Sequence, residues 1–145
     1  MIFTNFGSMK NILLTIIIIS GLVLYACEDE GPSNRFVLLT APVWVSDSLL
    51  ADGVDASGPG QALEKFNGEV VFNKDGTGVF GVYTGTWKLV YSDTEIVISS
   101  DSLPFPITNE IKELTENSLK ITTGFPDLNN PAAGVMKIRM TFKSK

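Results

Sequence analysis

The chain contains no histidine and a single cysteine, Cys27. That removes His-based triads and His-ligated metal centres, and it leaves no second sulfur for a CxxC redox pair or an internal disulfide. There is no Gly-x-Ser-x-Gly elbow either, so the hydroxyl side chains have neither a base nor the turn that would make one of them a nucleophile. One stretch, Asn73-Lys74-Asp75-Gly76-Thr77-Gly78, superficially looks like a calcium loop, because Asn and Asp alternate ahead of a glycine. An EF-hand would need a carboxylate where Val71 stands and a glutamate where Val82 stands. The same residues suit an Asp-Gly hairpin turn. These residue types predict a protein that is not an enzyme and has no cofactor and no metal. With 16 acidic against 11 basic residues, a net charge of −5 and no basic run, nucleic acid is not an expected partner.

What Cys27 can do depends on the residues around it. Residues 12–26 are apolar and uncharged, with Lys10 ahead of them and Glu28-Asp29-Glu30 directly after Cys27. This is the layout of an export signal, and the apolar stretch falls short of the ~20 residues a spanning helix needs. Residues 1–26 are therefore read as a signal peptide, with translation expected to begin at Met9, and residues 27–35 as a polar, acidic tether. Leu24-Tyr25-Ala26-Cys27 resembles the bacterial lipobox. That resemblance implies that Cys27 is the lipid-modified first residue of a lipoprotein, held on a membrane by acyl chains worth about 0.8 kcal/mol per buried methylene. The acidic run after it resembles the surface-export signal of Bacteroidetes lipoproteins, which implies the outer membrane and its cell-surface face.

Residues 36–145 must form the working domain, and their alternation has a period of two. In 135–143, Met136, Ile138, Met140 and Phe142 share one side, while Val135, Lys137, Arg139, Thr141 and Lys143 share the other. Residues 118–123 repeat the scheme with Leu119 and Ile121 inward, and 105–113 with Phe105, Ile107 and Ile111 inward; Asn109 is the one polar residue on that side. Turn residues divide the rest into strands at 43–50, 69–72, 78–83, 86–91 and 95–99. Eight sequential strands with mostly short turns predict an all-β fold, an eight-stranded antiparallel up-and-down barrel, because closure removes exposed edges. Two connections are long: 51–68, read as a lid, and 124–134, which carries Phe125.

The pieces Val43-Trp44-Val45, Val71-Phe72-Asn73-Lys74-Asp75-Gly76-Thr77-Gly78, Gly85-Thr86-Trp87-Lys88-Leu89 and Glu95-Ile96-Val97-Ile98 resemble the lipocalin-like domains of Bacteroidetes lipoproteins. Ile111-Lys112-Glu113-Leu114 and Ser118-Leu119-Lys120-Ile121 extend the likeness over nearly the whole domain. It implies a calyx that takes an apolar or amphipathic small molecule.

An eight-stranded barrel is wide enough either to be filled by side chains or to hold one small ligand. The candidate lining is Trp87, Ile96, Ile98, Phe105, Ile107, Met136, Ile138 and Met140. A continuous internal void of about 300 Å³ or more, lined by Trp87, Ile96, Ile98, Ile107, Met136 and Ile138, would favour a small hydrophobic ligand. A dense interior would favour a non-catalytic structural or adhesive module that works through its outer face. Lys112, Lys120, Lys137, Arg139 and Lys143 all project outward, as a basic face or as ordinary solvated sheet surface. A monomer is expected.

Overall fold

Alternation of inward and outward residues builds a sheet that curls until its first and last strands meet. A computed structural model describes residues 31–127 and 131–145. The stretches read as a signal peptide and as resembling a lipobox, with Cys27 and the acidic run, lie outside the described residues. Helix α1 (Asn34–Thr40) comes first, then β1 (Trp44–Ala51), β2 (Val54–Asp55), β3 (Glu69–Phe72), β4 (Thr77–Phe80) and β5 (Tyr83–Val90). β6 (Glu95–Ser99), β7 (Ile107–Leu114), β8 (Ser118–Pro126) and β9 (Val135–Ser144) complete the chain. β1 pairs with β3, each strand from β3 onward pairs with the next, and β9 pairs back onto β1. The protein is an all-β, closed eight-stranded antiparallel barrel, with the two-residue β2 as an extra strand against the far end of β1.

The expected inward positions fill the interior. Phe72, Trp87, Ile96, Leu119, Ile121 and Phe142 are all buried, and so is Trp44. Two irregularities adjust the alternation. The β1–β9 register shifts at Asp47, and the β7–β8 register shifts at Lys112. The extra residue at Lys112 reverses the phase of β7, so Leu114 rather than Glu113 packs on the core. The Asn73–Gly76 stretch is a hairpin turn, in which Gly76 takes a φ of +85° and the Asn73 N–H donates to the Thr77 carbonyl at 2.9 Å.

Phe105 departs from the sequence expectation. Alternation places it inward at the head of a strand from 105 to 113, but β7 begins at Ile107, and Phe105 is 39% exposed, stacked on Phe125 at 5.3 Å. Pro104 and Pro106 flank it, and a proline has no N–H to give a ladder, so pairing starts only after Pro106.

Helix α1 is the other departure, since residues 34 and 35 fall in the stretch read as tether. The Ser33 hydroxyl accepts from the Phe36 N–H at 3.1 Å, an N-cap that starts the helix. Pro42 cannot donate the next helical hydrogen bond, so the helix stops there. Its apolar residues serve the barrel. Leu39 is completely buried, Phe36 stacks on Trp87 at 5.5 Å, and the Trp44 indole N–H donates to the Leu39 carbonyl at 3.0 Å. Arg35 adds a hydrogen bond to the Asp93 carbonyl in the β5–β6 turn at 3.2 Å. Together these contacts seal the end of the barrel that carries the β3–β4 and β5–β6 turns. Among the described residues no helix is long and apolar enough to cross a membrane.

Candidate functional site

The opposite end of the barrel is built differently. Among the described residues its rim is made of 51–68, the short β4–β5 turn, 100–106 and Asp127 just after β8. The first of these, expected to act as a lid, is tied down along its length. Ala56 N–H donates to Leu49 O, Leu63 N–H to Ala56 O and Val82 N–H to Lys65 O, each at 2.9 Å. A short 3₁₀ turn, Glu64–Phe66, lies close against the β4–β5 turn. Gly81 makes that approach possible: its φ is +64°, and a Cβ there would collide with the Lys65 carbonyl and the Phe66 backbone. Residues 51–68 are thus a fixed wall of the rim.

Between this wall and the sheet lies a cavity of about 290 Å³. From the strands, Ile107, Met136, Ile138 and Met140 line it. From the rim come Leu63, Phe66, Tyr83, Leu103, Pro104 and Phe125. Phe125, expected in the long connection after the strand, lies instead in β8 opposite Met136, partly buried against the core and stacked on Phe105. The polar contributors are Ser102, Thr123 and Asp127, and Asp127 is the one charged residue in the lining. The volume stands near the lower end of the ~300–1,000 Å³ typical of small-molecule sites, and the mostly apolar lining is their usual character.

The structure therefore brings together four of the eight residues expected to form the lining. Trp87 and Ile96 lie elsewhere in the core: Trp87 is packed against Phe36 and Phe72 at the sealed end, with its indole N–H donating to the Asn73 carbonyl at 3.1 Å, and Ile96 is fully buried. Ile98 lines a separate void of only about 20 Å³ below the cavity. Phe105 sits outside, for the reason given above. Trp44, like Trp87, is a core residue. The rim residues Leu63, Phe66 and Leu103 lie outside the strands and are the ones that strand alternation misses. Their only trace in the sequence is an apolar pair, Leu63 and Phe66, within an otherwise small and polar stretch.

The outer face is of mixed charge. Lys112 pairs with Glu110, Lys120 with Glu113 at 2.8 Å and Lys143 with Asp47 at 2.7 Å, which neutralises much of the proposed basic face. The hydrogen bond from Lys120 holds the Glu113 carboxyl below the usual carboxylate range. Asp75 in the hairpin turn is lowered in the same direction by the Thr77 hydroxyl, 2.6 Å away, and by the Thr77 N–H at 2.9 Å. Among the described residues no three Cys, Asp or Glu side chains gather closely enough to hold a metal ion.

A scan against protein-family models found no match to the chain, and neither did a search of curated proteins.

Proposed function

We propose that the protein is a non-catalytic, lipid-anchored lipocalin-like barrel of the outer membrane that binds a small apolar or amphipathic molecule at its open end. The observation that carries the binding reading is the asymmetry of the barrel. At the α1 end the depression of about 490 Å³ beside Phe36 and Trp87 is shallow and edged by Lys74, Asp75, Lys88 and Asp93, while the other end holds a more enclosed cavity of about 290 Å³ lined by twelve apolar or aromatic residues from strands and rim. Interiors normally close to near-crystal density, so a space of this size kept open by a tied-down rim is unusual for a purely structural barrel. The anchor and the surface location rest on the lipobox and acidic-run resemblances alone.

Filling the cavity tests the binding reading. Met136→Trp places an indole at the mouth and should abolish uptake of a naphthyl probe while leaving the β-sheet circular dichroism unchanged. Unaltered uptake would count against the cavity as the site. For the anchor, Cys27→Ala should abolish labelling by an alkyne-tagged fatty acid in growing cells and release the chain from the membrane fraction. Protease added to intact cells tests the surface location, and full protection would refute it.

A second reading has its own observation. A broad outer depression of about 970 Å³ between β1, β7, β8 and β9 carries Lys137 and Arg139, which have no ion-pair partner among the described residues. An adhesive module would use such a face. Charge reversal of both residues would then weaken cell-surface adhesion and leave probe uptake untouched.

A further inference from the structure

Asn109 is completely buried on the inward side of β7, and its Oδ1 is the one buried side-chain polar atom among the described residues that has no hydrogen-bond partner. The orientation of the amide is set by its surroundings. Nδ2 donates to the Ile107 carbonyl at 3.3 Å and to the Ile96 carbonyl at 3.4 Å. Carbonyls only accept, so the nitrogen must face them and the oxygen must face away.

Beside Asn109 lies the void of about 20 Å³, whose other walls are apolar, Ile98, Phe72 and Ile121 among them. One water would fit by volume, since about 10–15 Å³ suffices, but a buried water needs two to four polar partners and the side chains here offer one. Phe66, Ile107 and Met140 line both this void and the mouth cavity, so the void is the floor of the same site behind a partition made of these three side chains. Met140 is unbranched and adaptable, which makes that partition easy to shift.

Building on the binding reading above, we infer that Asn109 Oδ1 is the polar anchor for a ligand whose leading end carries a neutral hydrogen-bond donor. The ligand class is a compact apolar alcohol, phenol or amide. A carboxylate is disfavoured because the floor of the site presents an acceptor, to which an ionised acid has no proton to donate. The orphaned oxygen gains its bond only when such a ligand is bound, and a site with a buried unpaired acceptor discriminates against analogues that lack the donor.

The test uses the purified full-length chain and three probes, 2-naphthol, 2-methoxynaphthalene and 2-naphthoate, titrated by fluorescence with Met136→Trp as the control for nonspecific uptake. The expected result is about tenfold tighter binding of 2-naphthol than of 2-methoxynaphthalene, the scale of one buried hydrogen bond, with 2-naphthoate the weakest. Asn109→Leu should erase the preference for 2-naphthol and still bind 2-methoxynaphthalene. Equal affinity of wild-type protein for 2-naphthol and 2-methoxynaphthalene overturns the anchor and leaves the cavity reading standing. Uptake of none of the three overturns the binding reading and this inference with it. The wild-type comparison needs no variant, so the outcome does not depend on how Asn109→Leu folds.

Discussion

Removing the polar group of Asn109 should make the ligand-free protein more stable. Asn109→Leu keeps four side-chain heavy atoms and the same branching at Cγ, and it replaces the orphaned oxygen with a methyl group facing a small apolar void. A buried acceptor with no donor costs about 1–3 kcal/mol. Against that recovery stands the loss of the two Nδ2 bonds, at 3.3 and 3.4 Å near the long limit of hydrogen bonding, and so worth together no more than about 1 kcal/mol. The net expectation is a gain of about 1 kcal/mol, or roughly 4 °C in Tm for a domain of this size. Urea denaturation followed by tryptophan fluorescence will read it, because Trp44 and Trp87 are both buried and lose their environment on unfolding. Asn109→Ala serves as the control, since it removes the same oxygen but also the packing, and should destabilise. If Asn109→Leu instead loses more than about 1 kcal/mol, the oxygen is satisfied in solution by a water, and the reasoning fails.

Other expectations follow from named contacts. Leu39→Ala, which empties a fully buried position in α1, should cost about 2–5 kcal/mol by the same urea assay and redden Trp87 emission as the sealed end loosens. Gly81→Ala forces a side chain into the Lys65 carbonyl at a positive φ, so it should lower stability by about 1–3 kcal/mol and widen the mouth, seen as uptake of probes bulkier than naphthyl. Asp75 and Glu113 have folded-state pKa values below their unfolded ones. Their contribution is therefore complete above the ordinary carboxylate range and is lost as pH falls through that range and below it, under about pH 4. Asp75→Asn with Glu113→Gln should flatten the acid limb of Tm against pH; an unchanged limb would refute that attribution.

Period-two alternation revealed the strands and the inward side of each, because a half-buried strand writes its orientation into every second residue. It could not reveal height along the barrel axis. Trp87, Ile96, Ile107 and Ile138 read alike as inward residues, yet only the last two border the cavity. Much of the rim comes from irregular segments without a period, so Leu63, Phe66 and Leu103 left no pattern to find. Helix α1 was obscured for a related reason: seven residues are too few for a helical repeat to declare itself, although Ser33 ahead of Asn34 was a capping signal. The bulge at Lys112 hid the inward turn of Leu114, since a one-residue insertion reverses the phase without changing composition.

Dense packing and open space are separated along the axis of this barrel. At the sealed end, aromatic rings pack edge to face or stacked, with Phe72 and Trp87 centroids 5.2 Å apart and Phe36 covering the indole. At the open end the contacts are made by methionine, isoleucine and backbone-tied loops that leave space between them. Asn109 stands at the boundary, where an apolar residue would have closed the interior at no cost to the fold. A buried acceptor left without a donor is a local violation of the rules that govern the rest of the interior, and such violations are expected at functional or strained sites. Its position beneath an open cavity, and nowhere in the sealed half, is what gives the violation a functional meaning.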